Sequence, residues 1–358
     1  MSASFKVESS TGSYEVVVEA GSFENSIGRN GKAEILADRF FQPRFAQSGV
    51  RPIYIEASEH AKSLEEMPSV IEQLRAGGAN RGTQLVAVGG GVVQDIAAFI
   101  ASVYMRGIAW SYSPTTVLAM VDSCIGGKSS INVGPYKNLI GTFHPPNPIL
   151  IDPALAETLP RDQFASGLIE AAKICFCRGP EAFAAHVACG PSTSMSTESL
   201  ERVIVNSLMA KKHFIEIDEF DKKERLLLNF GHTFCHALEG ASNYGIPHGI
   251  AVGLGILCSL EFQRGRGIDF SGVASVEELE RHLDTMIRTL PGLNAVLARM
   301  SLDEVMERFG SDKKHRNDRY TLIVVAPTGE VVLEQIPRGP ESDARLRDAI
   351  QSTIEAYS

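Results

Sequence analysis

The chain has 358 residues, a formal charge of −9 from 34 Lys plus Arg against 43 Asp plus Glu, and a composition 44% hydrophobic and 22% charged. Such a chain buries a sizeable core, which excludes a disordered or fibrous protein. With no Lys/Arg-rich block and a single Trp it has no basic face for nucleic acid or an anionic membrane, so neither is expected as a partner and any positive patch is local, suited to a small anion.

In chain order, β-rich runs fall at residues 14–20, 33–37, 51–57, 84–90 and 147–152, with helical patterns near 60–76 and 92–105. This alternation predicts a parallel sheet with crossover helices. After about residue 160 the texture changes to long helical segments at 162–178, 195–216, 228–241, 248–264 and 276–288, with one late strand-like run at 320–327. The expected architecture is therefore an α/β domain over residues 1–159 followed by a mainly helical domain over 160–358, divided near Thr158-Leu159-Pro160. Six scattered cysteines form no CxxC pair, the N-terminus lacks the pattern of a secretory signal, and no apolar run reaches the roughly 18 residues of a membrane span. The chain is expected to be cytoplasmic with reduced thiols.

Three segments carry chemistry. Gly89-Gly90-Gly91 follows the apolar strand QLVAV and opens a helix, so bare amides at a helix N-terminus can approach a phosphate closely, a cradle for a dinucleotide pyrophosphate. Pro114-Thr115-Thr116, then Asp122 to Lys128 with two glycines beside the lysine, then Lys137-Asn138 supply a second small-residue loop with point charges suited to phosphate. In the second half, His232 and His236 stand at i and i+4, His248 follows twelve residues later, and Glu170 and Lys173 share one face of an earlier helix. Two imidazoles and a carboxylate are a common catalytic zinc set. Spacing alone pairs His232 with His236 on the metal, but no glutamate lies between them as in a zinc protease. His60, His144, His186, His213 and His282 read as ordinary surface or core histidines.

The segments GGGVVQDIAAF, YMRG, SPTTVLAMVDSCIGGKSSIN, KNLIGTFHPP, LIDPALAETLP, GLIEAAK, DEFDKKERLLLNFGHTFCHALE, PHG and SDKK stand in the order and spacing of the 3-dehydroquinate synthase family of sugar phosphate cyclases, which the chain resembles over about residues 33–330. The resemblance implies an enzyme using NAD+ and Zn2+ or Co2+, a homodimer, with an α/β nucleotide-binding domain and a helical domain as in glycerol-dehydrogenase-like proteins. It assigns the metal to Glu170, His232 and His248 and moves His236 to the substrate, against the spacing argument. It gives Asp38, Glu59, Lys62, Gly90, Gly91, Asp95, Thr115, Thr116, Lys137 and Thr158 to NAD+. Asp122, Lys128, Lys173, Asn229 and His236 become catalytic, and Arg106, Asn138, Lys211, Arg225 and Lys313 or Lys314 bind substrate. The Arg106 equivalent is expected to reach the neighbouring subunit's site.

The implied reaction converts 3-deoxy-D-arabino-heptulosonate 7-phosphate to 3-dehydroquinate and phosphate, with transient NAD+ reduction and no net redox. Lys128, Asn138, Asn229, His236 and the SDKK lysine would hold the phosphate, and Lys211 with Arg225 the carboxylate, a pair that a neutral sugar would not need. Three positions depart from the family pattern. Ser58 and Gln94 replace glycines, the latter adding bulk beside the nucleotide, and Ile250 replaces a glutamate after His248-Gly249 that would orient the imidazole, so either the metal is held more loosely or another acceptor serves His248. The alternatives are a sibling cyclase acting on an amino analogue, sedoheptulose 7-phosphate or glucose 6-phosphate, a zinc- and NAD-dependent polyol dehydrogenase, and a non-catalytic paralogue.

Overall fold

A computed structural model describes residues 2–24, 33–46, 48–134, 136–316 and 318–358. The chain divides into two compact units, residues 1–159 with 196–219, and residues 160–195 with 220–358.

The first unit is built on strands β1 (Ala3–Val7), β2 (Tyr14–Val18), β3 (Ala33–Asp38), β4 (Ile53–Ile55), β5 (Gln84–Gly89), β6 (Ala109–Pro114), β7 (Ile131–Val133), β8 (Tyr136–Ile140) and β9 (Ile149–Ile151). Seven of these form one sheet in the order β1-β2-β9-β6-β5-β3-β4, parallel throughout except for the antiparallel edge pair β1–β2, while β7 and β8 make a separate hairpin. Central β5 is apolar and buried from Leu85 onward, as a strand covered on both faces must be. The helix Gly91–Val103 then carries the chain over to β6. The helix Thr197–Ile217, expected in the second domain, belongs to this unit: Ser196 caps it by accepting from the Ser199 N–H, and buried Ser207 Oγ donates to the Val121 carbonyl at 2.8 Å.

The second unit packs the helices Arg161–Arg178, Pro180–Ala188, His232–Ala241, His248–Gly265, Ala274–Ile287, Leu302–Gly310 and Pro340–Tyr357 with the hairpin β10 (Arg319–Val325) and β11 (Val331–Pro337). Arg161–Arg178 is buried from Phe164 through Phe176, so its charged Glu170 and Lys173 sit inside the unit. The expected continuous helix over 228–241 is broken at Gly231 (φ 77°), and the regular helix begins at His232. A Cβ on Gly231 would lie 2.8 Å from the Ile256 nitrogen, and one on Gly255 would lie 2.2 Å from the Gly231 oxygen. The two histidine-bearing helices therefore cross backbone against backbone, a contact only glycine permits. Among the described residues no helix is long and apolar enough to cross a membrane.

Candidate active site

In the first unit, neighbouring parallel strands β6, β5 and β3 end at Pro114, Gly89 and Asp38, the strand ends where open α/β sheets bind ligands. Asp38 closes β3, and its carboxylate accepts the Phe40 N–H at 3.0 Å while burial holds its pKa above the ordinary value. Gly90 precedes the helix Gly91–Val103, and a Cβ there would meet Thr116 Cγ2 at 2.9 Å. A Cβ on Gly91 would meet no atom of the described residues within 4 Å beyond its chain neighbours and its own helix backbone, so this end of the helix offers open, bare amides to a phosphate. The Thr115 N–H closes onto the Gly89 carbonyl and Thr116 Oγ1 accepts from the Ala119 N–H, which brings all four expected residues together.

Beside them, Lys62 pairs with Asp95 at 2.7 Å and reaches Ser130 Oγ and Asn138 Oδ1 at 3.2 and 3.0 Å. Asp95 also accepts from the Ser130 N–H and hydroxyl, and burial holds its pKa up despite the lysine. Asn132 links Glu59 to the Asn138 N–H, and Lys137 lies 3.7 Å from Glu59. Glu59, Lys62, Asp95, Lys137 and Asn138 thus form one network, with Asn138 held in the left-handed region at φ 52°. Ser130 and Asn132 are its unforeseen members.

Asp122 lies in a one-turn π-type widening and is held by Lys211, whose Nζ is 2.8 Å from Oδ1 and 2.5 Å from the Asp122 carbonyl. The Gln94 side chain is buried and turned to Ser123. Its buried amide donates to the Ser123 carbonyl and accepts from the Ser123 hydroxyl, both at 2.6 Å, and so ties the helix to the turn carrying Asp122. Lys128 is exposed, Thr158 caps its own turn by donating to the Leu155 carbonyl, and Arg106 is exposed in a left-handed turn at φ 71°.

In the second unit, Glu170 (0% exposed) faces both His232 Nε2, 3.7 Å from its Oε1, and His248 Nε2, 3.5 Å from the same oxygen. Bonds of about 2.0–2.2 Å at a tetrahedral angle separate N and O ligands by about 3.4 Å, so this donor set fits a divalent ion. Each imidazole is turned by a partner on its other nitrogen: the Phe230 carbonyl lies 3.2 Å from His232 Nδ1, and Glu239 Oε1 lies 3.1 Å from His248 Nδ1. Glu239 is thus the acceptor that Ile250 cannot be. Burial, with Lys173 and the neighbouring histidines, holds the His232 pKa well down. Burial works against charge on His248 too, but Cys235, Glu170 and Glu239 outweigh it and raise its pKa well above the ordinary value.

Lys173 (2% exposed) lies 2.5 Å from Glu170 on the same helix. His236 turns away from the Glu170 set to Asp312 Oδ2 at 3.3 Å. Burial opposes the Asp312 charge, yet His236 and Lys314 pull its pKa to about 2. Of the adjacent lysines, Lys313 is exposed, whereas Lys314 Nζ is buried with no hydrogen-bond partner among the described residues. Arg225 is 3% exposed, and Asn229 Nδ2 donates to the Leu226 carbonyl.

The 3-dehydroquinate synthase N-terminal family model matches residues 52–166, and its C-terminal counterpart residues 167–315. The chain is 34% identical over 280 residues to the 3-dehydroquinate synthase of Streptococcus pneumoniae (strain JJA), covering 78% of this chain and 77% of that one. It is 32% identical over 349 residues to that of Latilactobacillus sakei subsp. sakei (strain 23K), covering 92% and 94%. A 2-deoxy-scyllo-inosose synthase complexed with carbaglucose-6-phosphate, NAD+ and Co2+ shares the fold with a TM-score of 0.83 at 22% identity, over 98% of this chain and 99% of that one. So does a 2-epi-5-epi-valiolone synthase from Streptomyces hygroscopicus subsp. jinggangensis 5008 with NAD+ and Zn2+ bound, at 0.79 and 24%, over 96% and 97%. With matches running unbroken from residue 52 to 315 across both units, the chain belongs to the 3-dehydroquinate synthase family.

Proposed function

We propose that this chain converts 3-deoxy-D-arabino-heptulosonate 7-phosphate to 3-dehydroquinate and inorganic phosphate, reducing and reoxidising NAD+ within each turnover. The observation that carries the reading is the identity of 32–34% to relatives named 3-dehydroquinate synthase over most of the chain. The fold neighbours named for NAD+ with Co2+ or Zn2+ support the same pair of cofactors.

Glu170, His232 and His248 would hold the divalent ion, and Asp38, Gly90, Gly91, Thr115, Thr116 and Thr158 the nucleotide, with the Lys62–Asp95 network supporting it. When bound, the ion supplies Lewis acidity that lowers a hydroxyl pKa, and the nicotinamide supplies a temporary hydride acceptor. The remaining work falls to the chain. Lys128, Asn138, Asn229, His236 and a lysine of the SDKK segment hold the leaving phosphate, which can itself accept a proton once aimed. Lys314 suits this role better than Lys313, since burial disfavours the charge of its Nζ, which has no hydrogen-bond partner among the described residues, and an anion restores it. Lys211 and Arg225 hold the carboxylate, Asp122 fixes Lys211, and Lys173 balances Glu170. Arg106 completes the site of a second copy, so the working unit is a homodimer.

The test is phosphate release with 3-deoxy-D-arabino-heptulosonate 7-phosphate against sedoheptulose 7-phosphate, with substoichiometric NAD+. Turnover of the first without NADH accumulation is expected. Preference for the second, or steady NADH accumulation with a simple polyol, overturns the reading.

A further inference from the structure

Cys235, Glu239 and His248 form a second set of metal-binding side chains, one donor atom of each lying within 4.8 Å of the others. Cys235 Sγ is fully buried and stands 3.5 Å from Glu239 Oε2 and 3.9 Å from His248 Nδ1, while Glu239 Oε1 is 3.1 Å from the same nitrogen. The sulfur also lies 3.8 Å from the His248 carbonyl. A tetrahedral ion with bonds of about 2.3 Å to sulfur and about 2.0–2.2 Å to nitrogen and oxygen separates S from N or O by about 3.6 Å, and N from O by about 3.4 Å. The sulfur–nitrogen distance lies within about 0.3 Å of that separation, while Glu239 turns Oε2 to the sulfur and Oε1 to the nitrogen, so its carboxylate must rotate to offer both a single oxygen.

We propose that Cys235, Glu239 and His248 hold a thiophilic divalent cation of the Zn2+ or Cd2+ class, in a site separate from the Glu170 set. The sulfur selects against Mg2+ and Ca2+, which prefer oxygen alone. The two sites meet at His248, through Nε2 on the Glu170 side and Nδ1 on the Cys235 side. With the Glu170 set empty, the ring gives up its Nδ1 proton and keeps the one on Nε2, and the thiol proton leaves as the cation binds. With that set filled, the ring must give up its last proton as well, so the two ions disfavour each other. On the proposed function, excess thiophilic cation is therefore inhibitory, and this consequence alone rests on that reading.

The test is a Cd2+ titration of chelator-stripped protein, followed by the thiolate-to-cadmium charge-transfer band in the ultraviolet. The Glu170 set contains no sulfur, and the part of the band that Cys235→Ser removes separates the Cys235 set from the other five free cysteines. Wild type is expected to show it, Cys235→Ser to lose it with an unchanged circular dichroism spectrum, and Glu239→Ala to bind Cd2+ more than about tenfold more weakly by the same band. Glu170→Ala is expected to keep it, even if Co2+ binds that variant as tightly as wild type and the Glu170 assignment falls. No band in wild type, an undiminished band in Cys235→Ser, unchanged affinity in Glu239→Ala, or loss of the band in Glu170→Ala overturns the proposal.

Discussion

Glu239 acts on the candidate metal set through another side chain. Its Oε1 lies 3.1 Å from His248 Nδ1, leaving Nε2 aimed at Glu170. Loss of such a partner typically weakens metal affinity by about 10–100-fold, so Glu239→Ala should bind Co2+ more weakly by that factor in competition with a chelator. Glu239→Gln should lose less, because its amide oxygen can still accept; equal losses would mean that charge, not orientation, is what Glu239 supplies. Arg225 makes a different claim. A buried guanidinium facing a substrate carboxylate is worth about 1.5–3 kcal/mol, so Arg225→Ala should cut kcat/KM roughly tenfold to more than a hundredfold. Steady-state kinetics with unchanged values would remove it from the site. Local spacing marked the histidines but paired His232 with His236, and only the family resemblance drew Glu170, His232 and His248 into one set, the set whose donor atoms the fold brings together. Motif reading missed Glu239, Asp312, Ser130 and Asn132, which bond to expected site residues and are joined to them only by the fold.

At the level of elements, the glycine crossing sets the spacing of the imidazoles. His232 opens one helix and His248 the next, and Gly231 and Gly255 let the two backbones touch. Gly255→Ala places a methyl group against the Gly231 oxygen, a rigid clash worth about 1–3 kcal/mol. It should lower Tm and weaken Co2+ binding together; a lowered Tm with unchanged affinity would uncouple the crossing from the site. Elsewhere in the same unit, the ring of His186, on Pro180–Ala188, meets that of His282, on Ala274–Ile287, edge to face at 5.4 Å, and neither His186 nitrogen has a hydrogen-bond partner among the described residues. Burial holds the His186 pKa at about 3, and that of His282, beside Glu278, at about 4, against an ordinary 6.5. Both stay neutral in the fold and gain protons on unfolding. Their contribution to stability is whole above about pH 6.5 and is lost as the pH falls towards 4. His186→Leu should remove up to one proton of that uptake, about 1.4 kcal/mol per pH unit, and flatten the fall of Tm between pH 6.5 and 4.5. An unchanged slope would show that the ring is already charged or exposed. Periodicity marked the long helices well, but it ran 228–241 through Gly231 because the break comes from a neighbouring helix. It also passed over β6, whose run AWSYSP neither alternates nor avoids proline.

At the scale of the whole molecule, order along the chain and order in the sheet part company: β2 neighbours β9, and the helix Thr197–Ile217 returns to the first unit. No local pattern encodes those pairings, whereas the ordered motifs revealed the family because they span both units. The same scale decides what Arg106 does. Exposed in a left-handed turn beside half-exposed Val103, its side chain has no hydrogen bond or ion pair with another described residue. If it completes a second copy's site, Arg106→Ala and Glu170→Ala should each be nearly inactive alone. A mixed dimer would contain one site with its own Glu170 and the other copy's Arg106, and one site lacking both. Random exchange at equal amounts makes half the dimers mixed, each with one competent site of two, so phosphate release should return to roughly a quarter of the wild-type rate. If Arg106 serves its own copy, every site in the mixture lacks one group, and mixing restores nothing.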